Sequence, residues 1–307
     1  MKVVKSLLLI LGAFIAVLLI WGLVEPYFVN LEEEEAAIPN LPETWENEEV
    51  AVIGDFQVGM WLDNDSTVEQ MAEKLVELNP SAVLFLGDYI YHSVDNHEKE
   101  RQRVKELIKP LTDSDIPVFA VLGNHDYGMA SQTADPNEEL AGEMKSALQE
   151  VGITVLHNES AALTHTDNGV EVGTASSESL YIVGLGAEWP ELADSSEAFD
   201  GVPDSAARLI MMHNPETFGT LPAEAAPVSV AGHTHGGQMR IPGTPKWSYT
   251  ALMNETEDDY MYGWIDDYGA TGNNLYINPG VGFSILPLRI NCPPEITMLK
   301  LQSNDDL

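Results

Sequence analysis

The sequence predicts an α/β protein, a two-sheet α/β sandwich preceded by an N-terminal transmembrane helix. From residue 50 onward, runs of four or five apolar residues alternate with helical stretches, which is typical of a sheet covered by helices on both faces. After about residue 160 the predicted strands become shorter and alternate in polarity, which indicates a second sheet.

The N-terminal segment predicts a membrane anchor over residues 1–30. An unbroken apolar run extends from Leu7 to Val24, after Lys2 and Lys5. It is long enough to span a bilayer, and the lysines favour a cytoplasmic N-terminus. We therefore expect a single-pass protein of the cell membrane with its folded domain extracytoplasmic. A cleaved signal peptide is the alternative, although the apolar run is long for a signal and no small-x-small site follows it promptly.

Two further segments complete the expected domain organisation. Residues 31–48 are rich in Glu, Pro and Asn, and this composition predicts a solvated acidic tether between the membrane and the folded domain. Residues 49–307 form the folded domain.

Within that domain the apolar runs and the amphipathic stretches predict the individual elements. The predicted strands are Val50–Ile53, Ala82–Leu86, Val118–Leu122, Thr154–Leu156, Leu180–Leu185, Leu209–Met212, Val228–Ala231, Leu275–Ile277 and Ile296–Leu301. The predicted helices are Thr67–Leu78, Asn96–Ile108 and Asn137–Glu150. The stretch from Glu188 to Asp204 is expected to be a surface excursion.

The composition excludes some classes of function. The chain has 49 acidic and 14 basic residues and a formal net charge of −35, which disfavours nucleic acid and anionic lipid headgroups as partners. An acid-rich, lysine-poor surface suits a salt-adapted, halophilic organism; an ordinary acidic surface is the alternative, and the melting temperature measured against salt distinguishes the two. A single cysteine, Cys292, excludes an intramolecular disulfide and a cysteine-based zinc cluster.

Short polar motifs, most of them directly after predicted strands, indicate a metal centre. In chain order they are Asp55-Phe56-Gln57, Gly87-Asp88, Gly123-Asn124-His125-Asp126, His213-Asn214 and Gly232-His233-Thr234-His235-Gly236-Gly237-Gln238. A single Asp at a strand end is as often a cap or turn former. Successive strands that deliver Asp, Asp and Asn-His to one edge of a sheet make the functional interpretation stronger.

The histidines divide into two groups. His125, His213, His233 and His235 lie in these motifs, whereas His92, His97, His157 and His165 are isolated and are expected to be surface or core residues. Asp, Asn and His ligands without thiolates suit Mn, Mg, Fe or Zn, and a shared carboxylate can hold two such ions close together.

This ordered set of motifs resembles the calcineurin-like metallophosphoesterase superfamily, whose usual pattern is D-x-H, G-D, G-N-H-[DE], H and G-H-x-H. The resemblance extends from about Val50 to the C-terminus. Together with the Gly236-Gly237-Gln238 extension, the segments Gly280–Gly282, Leu286–Arg289 and Pro293–Ile296 are similar to those of the membrane-associated bacterial phosphodiesterases of the YaeI and YkuE type. The fold implied is a four-layer α/β/β/α sandwich, with two mixed sheets flanked by helices.

The resemblance also implies roles for individual residues. Asp55, Asp88 and His235 would bind a first divalent metal, while Asp88, Asn124, His213 and His233 would bind a second, with Asp88 bridging. His125 would stabilise the transition state or protonate the leaving oxygen, with Asp126 orienting its ring. The implied reaction is direct attack of a water activated by both metals on a phosphoester.

One position departs from the family pattern. The first motif normally ends in histidine, and here the residue is Gln57. Its amide oxygen can still ligate a hard ion, so we expect a weaker first site that favours Mn, or Mg, over softer ions.

The function predicted is a metal-dependent phosphodiesterase that acts on a small or lipid-linked phosphoester. A phosphomonoesterase of the same fold, a noncatalytic membrane-anchored metal-binding module and a freely secreted phosphatase remain the alternatives. Candidate phosphate-binding residues are Arg240, Lys246 and Arg289, each of which has surface ion pairing as its simpler explanation. Candidate stacking or lipid-contacting residues are Trp61, Trp247, Tyr249 and Trp264, for which loop packing is the simpler explanation.

Overall fold

The computed structural model describes residues 2–91, 97–166, 169–242, 248 and 261–304, and its strands form two mixed β-sheets. The helices are α1 (Lys2–Val24), α2 (Asp65–Leu78), α3 (His97–Leu107), α4 (Lys109–Thr112), α5 (Glu138–Glu150) and α6 (Ser195–Ala198). The strands are β1 (Asn30–Ile38), β2 (Glu49–Ile53), β3 (Ala82–Phe85), β4 (Val118–Ala120), β5 (Thr154–Val155), β6 (Glu159–Thr166), β7 (Gly169–Val172), β8 (Ser179–Gly184), β9 (Arg208–Met211), β10 (Ser229–Ala231), β11 (Gly263–Ile265), β12 (Leu275–Ile277) and β13 (Glu295–Ser303).

Each sheet has a parallel centre. The first sheet has the order β1-β13-β2-β3-β4-β5, with β2 to β5 parallel to one another and β13 antiparallel to β2. The second has the order β11-β12-β10-β9-β8-β6-β7, with β8, β9, β10 and β12 parallel. All parallel strands of a sheet end at the same edge, so the loops after them lie together.

Alternate residues of each strand face different layers. On β2, Val50 and Val52 pack between the two sheets, whereas Ala51 and Ile53 pack under α2, α3 and α5. The outer face of the second sheet is covered by α6 and by short 3₁₀ helices. The expected two-sheet α/β sandwich is confirmed, although the helices described over the second sheet are much shorter than those over the first.

The N-terminal helix is long and apolar enough to cross a membrane, and it is almost wholly exposed apart from its C-terminal end. Gly22 is buried there, and a Cβ at that position would lie 3.2 Å from Ile290 Cγ1 and 3.3 Å from Leu288 Cδ2. The Arg289 N–H donates to Gly22 O at 3.0 Å. The end of α1 therefore packs directly against the folded domain.

The predicted tether over residues 31–48 is wrong. Residues 30–38 form β1, which pairs in parallel with β13 from Asn30↔Glu295 to Ile38↔Ser303, and Trp45 is fully buried. The physical reason is alternation: Glu33 and Glu35 point to solvent, while Ala36 and Ile38 enter the core between the sheets. Charged side chains on the solvent face of an edge strand oppose unwanted pairing with other strands. In the sequence alone, the same glutamates look like the composition of a disordered segment.

Candidate metal centre

The residues predicted for the site lie in loops after parallel strands of both sheets. Asp55 and Gln57 follow β2, Asp88 follows β3, Asn124, His125 and Asp126 follow β4, His213 follows β9, and His233 and His235 follow β10. Five of these residues have positive φ: Asp55 (54°), Gln57 (53°), Asp88 (56°), His233 (69°) and His235 (51°). Non-glycine residues rarely adopt this conformation, and such positions cluster at functional sites.

Asp88 lies at the centre of the cluster. Its Oδ1 accepts a hydrogen bond from the His125 backbone N–H at 2.8 Å, and its Oδ2 accepts from Gln57 Nε2 at 2.9 Å. The same Oδ2 lies 3.3 Å from His213 Nε2. The carboxylate therefore contacts residues that follow strands of both sheets.

Two groups of ligand atoms share this carboxylate. One comprises Asp88, His213 and His233, the other Asp55, Asp88 and His235, and within each group the ligand atoms lie within 4.8 Å of one another. Asn124 Oδ1 lies 3.1 Å from His213 Nε2 and 3.0 Å from His233 Nδ1, so it faces the group that contains His213 and His233. The geometry brings together the two sets that the resemblance implies.

A hydrogen bond orients the His213 imidazole towards the other candidate ligands. His213 Nδ1 lies 2.8 Å from the carbonyl oxygen of Leu86, so Nδ1 donates to that oxygen and Nε2 is the nitrogen that can ligate a cation once its proton is lost. His235 is turned so that its Nε2 lies 3.6 Å from Asp55 Oδ1. A metal binds an imidazole nitrogen only in its unprotonated form, so ligation by His213 requires the loss of a proton.

Gln57 also presents a ligand atom. Its Nε2 is engaged with Asp88, while its Oε1 is buried without a hydrogen-bond partner. An unsatisfied buried carbonyl oxygen is costly, and a cation would satisfy it. The donors at this position thus fit a hard divalent ion.

Close glycine packing fixes the positions of the two aspartates. A Cβ on Gly123 would lie 2.2 Å from Asp88 Oδ1, and one on Gly280 (φ 67°) would lie 2.6 Å from Asp55 Cβ. Asp55 also accepts the His233 backbone N–H at 3.1 Å. The carboxylates therefore have little freedom to move away from the site.

Aromatic rings surround the cluster. His125 is 8% exposed, its Nε2 lies 3.8 Å from Asp88 Oδ2, and its ring stacks on Tyr91 at 5.4 Å. Trp189 contacts the His233 ring edge-on at 4.9 Å. Neither aromatic contact was predicted, because Trp189 lies in the stretch expected to be a surface excursion and Tyr91 belongs to no motif.

The role expected for Asp126 changes. Its Oδ2 accepts from the backbone N–H groups of Gly123 at 2.8 Å and Asp88 at 2.9 Å, and its Oδ1 accepts from that of Tyr89 at 3.0 Å. These bonds tie the loop after β4 to the loop after β3. Asp126 is thus a brace for the Asp88 backbone, and the expected orientation of the His125 ring is not what its hydrogen bonds provide.

Burial and neighbouring charges shift the pKa values of the metal-free site. Burial raises the pKa of Asp55 to about 7. It opposes charge on Asp88 too, but His213 and His125 outweigh it and hold the Asp88 pKa well below its usual range. Burial disfavours charge on His213, yet Asp88 raises its pKa to about 9. Burial lowers the pKa of His233 to about 3.

The candidate phosphate-binding residues do not all reach the site. Arg289 is fully buried and donates to the carbonyl oxygens of Gly282, Pro279 and Cys292, so neither the candidate phosphate contact nor surface ion pairing describes it. The Arg240 guanidinium lies 4.4 Å from the centroid of the Tyr262 ring, and its Nε donates to Asn291 O. Lys246 lies outside the described residues.

The candidate aromatic residues also differ from one another. Trp61 is 73% exposed. Trp264 packs on Tyr276 and donates to Glu34 of β1, which makes it a structural contact. Trp247 and Tyr249 lie outside the described residues, as does His92. Of the isolated histidines, His165 packs against Trp45 at 5.6 Å, as expected for a residue outside the site.

An Asp, Asn and His cluster at the strand ends of a two-sheet α/β sandwich defines a class of metal-dependent hydrolases. The chain belongs to the calcineurin-like phosphoesterase family, whose sequence model matches residues 49–237. The predicted resemblance is confirmed, and the chain is a hydrolase of phosphoester bonds.

Three curated relatives extend this assignment. The phosphodiesterase YaeI of Escherichia coli (strain K12) is 29% identical over 74% of this chain and 72% of that protein. The UDP-2,3-diacylglucosamine pyrophosphatase LpxG of Chlamydia trachomatis is 25% identical over 77% of this chain and 78% of its own length. The uncharacterized metallophosphoesterase YkuE of Bacillus subtilis is 24% identical over 92% of this chain and 88% of its own length.

Proposed function

We propose that this chain is a phosphodiesterase that uses two divalent cations to hydrolyse a phosphodiester or a pyrophosphate by direct attack of water. The observation that supports this most strongly is the pair of ligand groups that share Asp88. Asp55, Gln57, Asp88 and His235 would hold one ion, and Asp88, Asn124, His213 and His233 the other. When bound, the two ions supply an activated water at neutral pH and neutralise charge on the phosphoryl oxygens.

His125 is the proposed catalytic residue of the protein itself. It lies beside the shared carboxylate, and stacking on Tyr91 keeps its ring at the edge of the cluster. From there it can hydrogen-bond a phosphoryl oxygen or protonate the leaving oxygen. Asp126 acts indirectly, because it holds the backbone of Asp88 and Tyr89 against that of Gly123.

The preferred ion is manganese, with Mg, Fe or Zn as alternatives. The reason is the balance of donors, since carboxylate and amide oxygens outnumber imidazoles in the Asp55 group once Gln57 is included. The preference for diesters rests on the relatives named as a phosphodiesterase and a pyrophosphatase. Lipid-linked phosphoesters are included among the candidate substrates because LpxG is named for such a molecule.

The proposed location is the cell membrane, with α1 as an uncleaved anchor and the catalytic domain extracytoplasmic. Uncleaved α1 is supported by its packed end, where Gly22 contacts Leu288 and Ile290. Orientation rests on Lys2 and Lys5 alone. Salt adaptation remains a prediction from the net charge of −35, and a protein no more stable in molar salt than in low salt would contradict it.

Hydrolysis of bis-p-nitrophenyl phosphate and of p-nitrophenyl phosphate tests this function. We would use the full chain in detergent, with Mn, Mg, Zn or chelator, and compare His125→Ala with His157→Ala, which alters a histidine outside the site. Metal-dependent release of nitrophenol that only His125→Ala abolishes is the expected result. A higher rate on the monoester would favour a phosphomonoesterase. A folded, metal-loaded chain without turnover would favour the binding module.

A further inference from the structure

The exposed apolar residues of the folded domain are unevenly distributed. Outside α1, the described large apolar side chains that are more than half exposed are Phe28 (66%), Trp61 (73%), Ile241 (53%) and Ile285 (54%). We call these four side chains the apolar rim. Scattered exposed apolar residues are ordinary on a soluble surface, so the question is whether these four share a location.

All four lie on segments attached to the end of α1. Phe28 follows that helix directly, and Ile285 precedes the stretch in which Leu288 and Ile290 pack on Gly22. Ile241 follows Arg240, whose backbone N–H donates to Ile290 O at 2.9 Å.

Trp61 is linked to the same place by α2. It precedes this helix, in which Thr67 Oγ1 donates to Pro26 O at 2.9 Å. The segments that carry the apolar rim are therefore connected to the end of α1 by short stretches of chain and by hydrogen bonds.

Three of the four rim residues also lie on loops that carry a candidate metal ligand or pack against one. Trp61 follows Gln57 in one loop, and Ile241 follows His235 in another. The third loop contains Gly280 and Gly282, which pack on Asp55, and then reaches Ile285.

Two successive contacts, through Tyr91, link Ile285 of the rim to the proposed catalytic residue His125. The Ile285 backbone hydrogen-bonds the side chain of Tyr91, and the Tyr91 ring stacks on His125. Ile285 of the apolar rim therefore lies close to the metal centre.

We propose that the mouth of the metal centre faces the bilayer, with the apolar rim inserted into its interface, and that the substrate is a phosphodiester or pyrophosphate in the headgroup of a membrane lipid. The proposal rests on the proposed function above and names the substrate class of that site. A bilayer is the occupant because the rim adjoins a helix that is long enough to span it and that ends in Trp21 and Tyr27, residue types enriched at membrane interfaces.

Charge argues for insertion by apolar contact. With a net charge of −35, the domain is repelled by anionic headgroups, so attraction to lipid must come from apolar side chains and from α1. Insertion should therefore occur in a zwitterionic bilayer. Adding anionic lipid should not strengthen it.

A first experiment measures insertion without using activity. Nitroxide labels are placed by Trp61→Cys and by Ile285→Cys on the full chain in phosphatidylcholine nanodiscs, with Val76→Cys and Val172→Cys as controls on α2 and β7. The native Cys292 is buried. The expected result is that labels at 61 and 285 are relaxed by oxygen and shielded from a water-soluble nickel chelate, whereas the control labels show the reverse. Chelate access at 61 and 285 equal to that of the controls would overturn the proposal.

A second experiment measures the substrate class in the same nanodiscs. The probes are a diacylglycerol p-nitrophenyl phosphodiester, which is embedded in the bilayer, and soluble bis-p-nitrophenyl phosphate. The variants are Trp61→Ser and Ile285→Asn, since Asn tolerates the positive φ of 63° at residue 285. We expect the ratio of lipid to soluble hydrolysis to fall about tenfold in the double variant and to stay unchanged in Val76→Ser and Val172→Asn.

The outcomes separate the two proposals. No hydrolysis of either probe by the wild-type chain would remove the proposed function itself. Hydrolysis of bis-p-nitrophenyl phosphate, with a lipid-to-soluble ratio that the rim substitutions leave unchanged, would retain the enzyme and overturn the membrane-facing mouth.

Discussion

Glu25, directly after the N-terminal helix α1, is predicted to stabilise the folded domain. Its carboxylate accepts the backbone N–H groups of Asn291, at 3.0 Å, and Cys292. A hydrogen bond to a charged group contributes about 1.5–3 kcal/mol when buried. Because Glu25 is only half-buried, we expect Glu25→Ala to cost about 2 kcal/mol, and Glu25→Gln, which keeps one acceptor oxygen, about half of that.

The assay is thermal unfolding of the full, metal-free chain in one detergent at one scan rate. A loss of about 2 kcal/mol lowers the Tm of a domain of this size by about 4–8 °C. The matched control is Glu73→Ala on the exposed face of α2, which should stay within about 0.5 kcal/mol of wild type. Equal Tm values for Glu25→Ala and Glu73→Ala would refute the reasoning. They would mean that the hydrogen bonds of Glu25 do not stabilise the folded domain.

Three further predictions concern the metal centre. Gln57→His should tighten binding of Zn and Mn at the Asp55 group, because imidazole is the stronger donor, and a metal titration that shows weaker binding would contradict it. Gly123→Ala should abolish binding at both groups while the chain remains folded by circular dichroism, because the new Cβ would lie 2.2 Å from Asp88 Oδ1. Metal affinity should rise with pH up to about 9, because the cations must displace the protons held by Asp55, with a pKa of about 7, and by His213, with a pKa of about 9. Calorimetry in buffers of different ionisation enthalpy should detect their release at pH 6, and affinity independent of pH would exclude this assignment.

Much of the fold was predictable because apolar periodicity is a local signal. The observed bounds of α2, β2 and β12 differ from the predicted ones by no more than two residues. The metal ligands were also predictable, since each follows a buried parallel strand and such strands end at one edge.

The rest depends on contacts between distant parts of the chain. β1 was misassigned because its four consecutive glutamates show no apolar alternation in the sequence, and Glu32 and Glu34 are half-buried only because the strand pairs with β13. β6 and β7 were missed because they form a half-exposed hairpin with weak alternation. The sequence led us to expect Asp126 to orient the His125 ring and Arg289 to be either a phosphate-binding residue or a surface ion-pair partner. Their actual partners are backbone groups of other loops.

The metal centre is connected to the end of the N-terminal helix α1 by a series of contacts. Glu25 holds the Cys292 N–H, and Cys292 Sγ donates to the carbonyl oxygen of the ligand His235 at 3.3 Å. Arg289 ties Pro279 and Gly282, on either side of Gly280, to the same segment. A soluble version of the chain cut at residue 31, as the tether interpretation would suggest, keeps every predicted ligand and removes Glu25 from this series of contacts. The end of α1 is therefore part of the architecture of the site, because Glu25, which follows this helix, holds the segment that contacts a loop on which a candidate ligand lies.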